Sequence, residues 1–272
     1  MRRTLRSAVD ARPVYVMPEA DLAIALEDGA LCFTQPERAD RYIPLRRVSR
    51  LIVPETVQMN TEVLCACARR GIPVIVQDDD GESLFRVVGA ACGDTGLRQR
   101  LLDLTSDPDW VRRMTDWREA NRARIAVHVY RRLHAPPVGS RPGRLATWIE
   151  QRAVRLAGRE DARTSARHFQ AMALARMQQA LSVCGLDASD DSWLYDEVDL
   201  GQWLGDLLAF QLQPLRLGWL QRRKEWSVRN AQPSGPVRHR DLVRLFERHA
   251  GRVDRTVRDL INRLHRWLVE TT

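Results

Sequence analysis

Apolar positions along this chain recur with two different periods, and the change falls near residue 90. In the first part, short apolar runs alternate with turn residues. Runs at 14–17, 22–26, 30–33, 42–44 and 50–53 predict strands, with Asp28-Gly29 as a hairpin turn between the second and third. Met59, Val63, Leu64 and Cys67 return at helical spacing, and Gly71 stops that helix. Residues 73–76 predict a buried strand, 78–81 a turn and 84–88 a closing strand. After Gly93 the strand signals end. Residues 101–104 and 110–133 read as helices with arginines on the polar face, whereas 135–143, holding Pro136, Pro137, Gly139, Pro142 and Gly143, reads as a loop. Amphipathic helices are predicted over 145–156, over 164–183 with Gly185 closing it, and over 203–212, where Pro214 ends or kinks the run. Helices over 217–226, 240–248 and 253–268 follow, with a break at 232–236. The predicted class is α+β: a β-rich N-terminal domain over 1–92 and a larger all-α domain over 97–272.

Composition narrows the partners. Of 272 residues 44% are hydrophobic, enough for a folded core. No apolar run reaches the roughly 18 residues a membrane span needs, so no membrane association is expected. The opening MRRTLRSAVDARPVYV is basic but has no apolar stretch, which predicts no secretory leader. The cysteines (Cys32, Cys65, Cys67, Cys92, Cys184) form no CxxC and precede no His at zinc spacing. They read as small core residues of a reduced, cytoplasmic protein. The net charge of +8 favours a polyanionic partner, and because Lys224 is the single lysine, arginine carries nearly all of it.

The strand-rich part contains LAIALEDGALCF, then Ile43-Pro44-Leu45, Leu51-Ile52-Val53, a helix with a small-residue face, Gly71-Ile72-Pro73-Val74 and Asp78–Gly81. In the helical part, Ala180-Leu181-x-x-Cys184-Gly185-Leu186-Asp187 is followed by Trp193-Leu194-Tyr195, by Leu204-x-Asp206-Leu207-Leu208 and by Pro214. Upstream stands Ile149-Glu150-x-Arg152-Ala153-x-Arg155. This succession resembles the CRISPR spacer-acquisition integrases over nearly the whole chain, thinning over 95–145 and after 230. The resemblance implies metal-assisted phosphodiester transfer or cleavage of DNA, with Mg²⁺ or Mn²⁺ held by a glutamate, a histidine and a second carboxylate. It also implies a homodimer through the β-domain, a small ferredoxin-like adaptation protein as partner, and a DNA substrate that is double-stranded with single-stranded ends.

On the positions that match, Glu150 is the glutamate and Asp206 the supporting acid, and together they are the catalytic and metal-binding candidates. The histidine position holds Tyr195, a neutral phenol at pH 7, and the second carboxylate position holds Ala209, which has no ligand atom. The ligand set is therefore incomplete, which implies chemistry that is weak or lost and an architectural role, with an active paralogue as a further partner. Asp196, Glu197 and Asp199 are the candidates to replace the lost ligands. Glu150 beside Arg152 and Arg155 equally fits an ion-pair partner, and Asp206 at the edge of an apolar face equally fits a cap or a buried pair.

For DNA contact the candidates are Arg152, Arg155, Arg163 and Arg167, then Arg216, Arg222, Arg223 and Lys224. The histidines are scattered and show no shared face at ligand spacing. A competing reading is a non-enzymatic DNA-binding regulator. It rests on the tail HRDLVRLFERHAGRVDRTVRDLINRLHRW, two helices reminiscent of a helix-turn-helix. It leaves the β-half unexplained.

Overall fold

A computed structural model of the chain describes residues 11–19, 21–79, 81–87, 96–135, 140–186 and 198–271. In chain order its strands are β1 (Arg12–Tyr15), β2 (Ala23–Glu27), β3 (Ala30–Thr34), β4 (Arg41–Pro44), β5 (Val48–Pro54), β6 (Gln58–Met59), β7 (Val74–Gln77) and β8 (Ser83–Val87). Helix α1 (Thr61–Ala68) lies between β6 and β7, with Asn60 as its N-cap accepting from the Val63 amide at 3.0 Å. The strands form two sheets, ordered β1-β5-β7-β8 and β4-β3-β2-β6. Asp28 and Gly29 both have positive φ (47° and 73°), the turn geometry that matches strand twist and closes the β2–β3 hairpin.

β5 and β7 pair in parallel and read VSRLIVP and VIVQ, almost continuously buried, as strands covered on both faces do. Alternation splits them. Leu51, Val53, Val74 and Val76 face the core of the β-half, whereas Ile52 and Ile75 join the core of the helices. That division fastens the sheet to the helical half.

The helices are α2 (Gly96–Thr105), α3 (Trp110–Leu133), α4 (Pro142–Ala157), α5 (Arg159–Val183), α6 (Leu200–Gln211), α7 (Gln213–Asn230), α8 (His239–Arg248) and α9 (Ala250–Thr271). One proline expectation is corrected: Pro142 opens α4 rather than lying in a loop. Pro214 marks the end of the α6 run as expected, and sits in the first turn of α7, where its missing N–H costs nothing. Gly185, at φ 81°, follows the end of α5 as expected.

The tail is not a free helix-turn-helix. Only His249 separates α8 from α9, and Val253, Val257, Leu260, Leu264 and Leu268 of α9 are buried in the helical core. A helix-turn-helix joins its two helices by a turn of three or four residues, which a single His249 does not supply. Among the described residues no helix is long and apolar enough to cross a membrane.

Candidate functional site

The central helix α5 carries the run Ala171, Met172, Ala173, Leu174 and Ala175, all buried, so neighbours can approach it closely. α6 does so through glycine. A Cβ on Gly201 would meet the Gln178 amide at 2.0 Å, and one on Gly205 would meet the Leu174 Cα at 3.2 Å. This approach brings the next residue, Asp206, against Gln170 of α5. Asp206, Ala209, Gln170, Glu150 of α4 and Gln213 of α7 line one cavity of about 180 Å³. Three positions picked from sequence motifs more than fifty residues apart thus share one recess.

The chemistry of that recess is governed by a residue assigned elsewhere. Arg216, read from sequence as a phosphate contact, is fully buried, and this is a correction. All five guanidinium donors are in use. Nε donates to Ser165 Oγ at 3.0 Å. One terminal nitrogen donates to Glu150 Oε1 at 2.9 Å and to Gln213 Oε1 at 2.8 Å. The other donates to Glu150 Oε2 at 3.4 Å and to the Ala162 carbonyl at 2.7 Å. No donor is left for DNA. The sequence signal was faint: an arginine between Leu215 and Leu217, both buried.

Asp206 is also committed. Its Oδ1 accepts from Gln170 at 3.0 Å and from Gln202 at 2.8 Å, and Arg118 lies 3.6 Å from Oδ2. Arg118 itself stacks over Trp203, 4.7 Å from the ring centroid. Asp199, offered as a replacement ligand, caps α6 by accepting from the Gln202 amide at 2.8 Å and pairs with Arg86 of β8. Tyr195, Asp196 and Glu197 lie outside the described residues. Among the described residues, then, the donor set does not fit a divalent cation. One carboxylate is neutralised by a buried guanidinium, the other is held by amides, and Ala209 offers nothing. Glu150 is an ion-pair partner of Arg216 rather than of the flanking Arg152 or Arg155, and Asp206 faces Arg118 from a half-buried position.

The remaining basic candidates divide in two. Arg167 pairs with Glu82 beside the β7–β8 turn at 3.0 Å. Arg223 lies over Trp219 and donates to the carbonyls of Ser234 and Gly235, fastening the 232–236 segment. Arg152, Arg155, Arg163, Arg222 and Lys224 are exposed. Arg152 reaches Gln221 at 3.3 Å and Lys224 reaches the Arg155 carbonyl at 3.0 Å, so α4 and α7 present their charges side by side.

Two of the histidines, on different helices, meet in the fold. His168 of α5 and His239 of α8 face each other with Nδ1 atoms 3.0 Å apart. Burial pushes the His239 imidazole down to about 4. The His168 ring fills the space over Gly81, where a Cβ would lie 2.3 Å from its Nδ1. Nearby, Arg50 of β5 is 3% exposed and donates to Gln179 at 3.2 Å, to the Tyr15 hydroxyl at 3.0 Å and to Glu247 of α8 at 2.7 Å. The Tyr15 hydroxyl in turn donates to Glu247 at 2.8 Å, and burial raises its pKa well above the ordinary phenol range.

Comparison with known proteins places this geometry. A sequence profile described as CRISPR-associated protein Cas1 matches residues 15–135. Among curated proteins none matches. Among solved structures, the chain is similar to a CAS1 protein from Thermotoga maritima at 13% identity and a TM-score of 0.66, covering 95% of this chain and 97% of that one. It is similar to TtCas1 in a DNA complex at 13% identity and a TM-score of 0.59, covering 93% and 91%. A casposase bound to integration product matches at 10% identity and a TM-score of 0.53, covering 84% and 80%. The profile spans the β-half and the first helices, under half of the chain, and the fold shared with the solved Cas1 structures continues to the last helix.

Proposed function

We propose that this chain serves CRISPR adaptation as a DNA-holding subunit whose own metal-dependent phosphodiester chemistry is weak or lost. The observation that carries the reading is the Arg216–Glu150 pair. Phosphodiester transfer assisted by a divalent cation needs ionised carboxylates free to coordinate it. Here a permanent cation already sits against the glutamate, and Ala209 leaves the second carboxylate position empty.

DNA is held through charge on the α4–α7 face. Exposed guanidiniums of Arg152, Arg155 and Arg222 and the ammonium of Lys224 there, with Arg163 of α5, contact phosphate without reading sequence. The β-half over 1–92 joins two copies, and the helical half over 97–272 of each presents its basic face. Solved relatives include a Cas1–DNA complex and a Cas6-RT-Cas1–Cas2 complex. By analogy the partners of this chain are a duplex with single-stranded ends, a small ferredoxin-like adaptation protein and an active paralogue that supplies the chemistry.

The test is strand transfer of a short duplex into a repeat-bearing plasmid with Mn²⁺ and the small partner protein. The expected result is DNA binding without transfer. Robust transfer that Asp206→Asn removes would overturn the reading.

A further inference from the structure

The strongest unassigned feature is a cleft of about 590 Å³ between α3 and α9, outside the Glu150–Asp206 recess. Its size is that of sites which enclose a small ligand. The two helices run antiparallel there. Arg113 donates to the Thr271 carbonyl at 3.3 Å, and one turn further along Trp117 meets Trp267, ring centroids 6.0 Å apart. That register sorts the lining by charge. Asp116 and Glu270 stand at the tied end, Arg124 and Arg263 at the other, with Arg266 and half-buried Trp267 between them. At 1.5 Å per residue the acidic and basic ends lie roughly 10–12 Å apart along the helices. Unlike Arg113, which pairs with Asp107, the side chains of Arg124, Arg263 and Arg266 have no ion pair or hydrogen bond among the described residues. Asn121, 7% exposed, lines the middle of the cleft. Its amide donates to the Trp117 carbonyl at 2.9 Å, and its Oδ1 is a buried acceptor without a partner.

We propose that this cleft is an effector site for a free ribonucleoside diphosphate whose base carries an exocyclic amino group, with ADP as the type. Each part of the lining suits one part of that ligand. Trp267 offers a stacking face for the base. The carboxylates of Asp116 and Glu270 accept from the amino group on the base edge. Asn121 Oδ1 accepts from a ribose hydroxyl. Three unpaired guanidiniums face the roughly three negative charges of a diphosphate, where a DNA strand brings one per nucleotide. A strand also fits poorly at the other two places. Inside DNA the sugar has no free hydroxyl for Asn121, and the acidic end opposes the next phosphate. The cleft lies on other helices than the α4–α7 face, and the inference does not rest on the DNA-holding reading.

The experiment is titration calorimetry of the full chain with ADP, AMP, 2′,3′-dideoxy-ADP and IDP, whose base has no amino group. Wild type should bind one ADP per chain and prefer it to AMP. Loss of the hydroxyls or of the amino group should each weaken binding roughly tenfold, the effect of a polar group left unmet. Arg263→Gln with Arg266→Gln should weaken ADP roughly tenfold and remove its advantage over AMP. Trp267→Leu should weaken ADP and AMP alike, and far-ultraviolet dichroism checks that each variant is folded. No binding of ADP at millimolar concentration, equal affinity for all four ligands, or ADP binding untouched in the variants overturns the site. Displacement of ADP by an equal concentration of a short single-stranded DNA assigns the cleft to a strand and overturns it too. DNA binding through the α4–α7 face survives every one of these outcomes.

Discussion

The Arg216 guanidinium reaches both carboxylate oxygens of Glu150, at 2.9 and 3.4 Å, from a side chain with no exposed surface. Burying a guanidinium is costly unless every donor is met, and here Ser165, Ala162, Gln213 and Glu150 meet them. The glutamate is half-exposed at 53%, so it is the accessible end of an otherwise internal pair.

The sign of a stability change follows. Removing a carboxylate from an unoccupied metal site relieves repulsion and tends to stabilise. Glu150→Gln here should instead destabilise by about 2–3 kcal/mol, below the roughly 3–5 kcal/mol of a fully buried pair because Glu150 keeps half its surface in water. Arg216→Ala should cost about 3 kcal/mol or more, through the Ser165 and Ala162 partners and the cavity it leaves. Urea unfolding midpoints measure both. A stabilised Glu150→Gln would contradict the structural role of the pair.

Thermal stability should be indifferent to divalent ions. The melting temperature of the wild type is expected to be the same in Mn²⁺ and in a chelator, because ligand-linked stabilisation needs a site. Ala209→Glu alone should not change this while Arg216 remains. Tyr195→His, Ala209→Glu and Arg216→Met combined should create a Mn²⁺-dependent rise, read by scanning calorimetry.

On the α4–α7 face, Arg222→Glu with Lys224→Glu should weaken binding to any duplex and flatten the dependence on salt by about one to two units of log–log slope. Arg223→Glu should act differently, lowering stability because Arg223 holds the Ser234 and Gly235 carbonyls. Filter binding and melting curves separate the two effects.

His239 makes stability depend on pH. Its imidazole titrates near 4 in the fold and near 6.5 when unfolded, so the unfolded chain takes up the proton first on acidification. The contribution is complete above pH 6.5 and is lost as pH falls towards 4, about 3 kcal/mol in all. His239→Phe should flatten the stability profile across that window and leave it unaltered above.

Periodicity made the two-part architecture legible. Strand runs at 22–26 and 30–33 and the Asp28-Gly29 turn needed only local chemistry, and Trp110–Leu133 shows its helix in the sequence pattern with its bounds intact. Motif spacing singled out Glu150, Asp206 and Ala209, and all three line one cavity. What stayed hidden were partnerships across long separations. Arg216 finds Glu150 across 66 residues and His168 finds His239 across 71. A charged residue in an apolar run can be read as exposed or as paired, and only the packing of α4, α5 and α7 decides. One proline misled for a related reason: a proline breaks a helix in the interior but begins one in the first turn, as Pro142 does in α4.

The buried Arg50 ties β1 and β5 to α5 and α8 through Tyr15, Gln179 and Glu247, while the His168 ring closes over Gly81 from the other side. Such a junction works as a keystone. Whatever grips the strands also sets the bearing of the helices, so two copies clasped through their β-halves would hold their basic faces at one separation. The length of DNA such an assembly measures would then be written into the junction, far from any residue that touches the DNA.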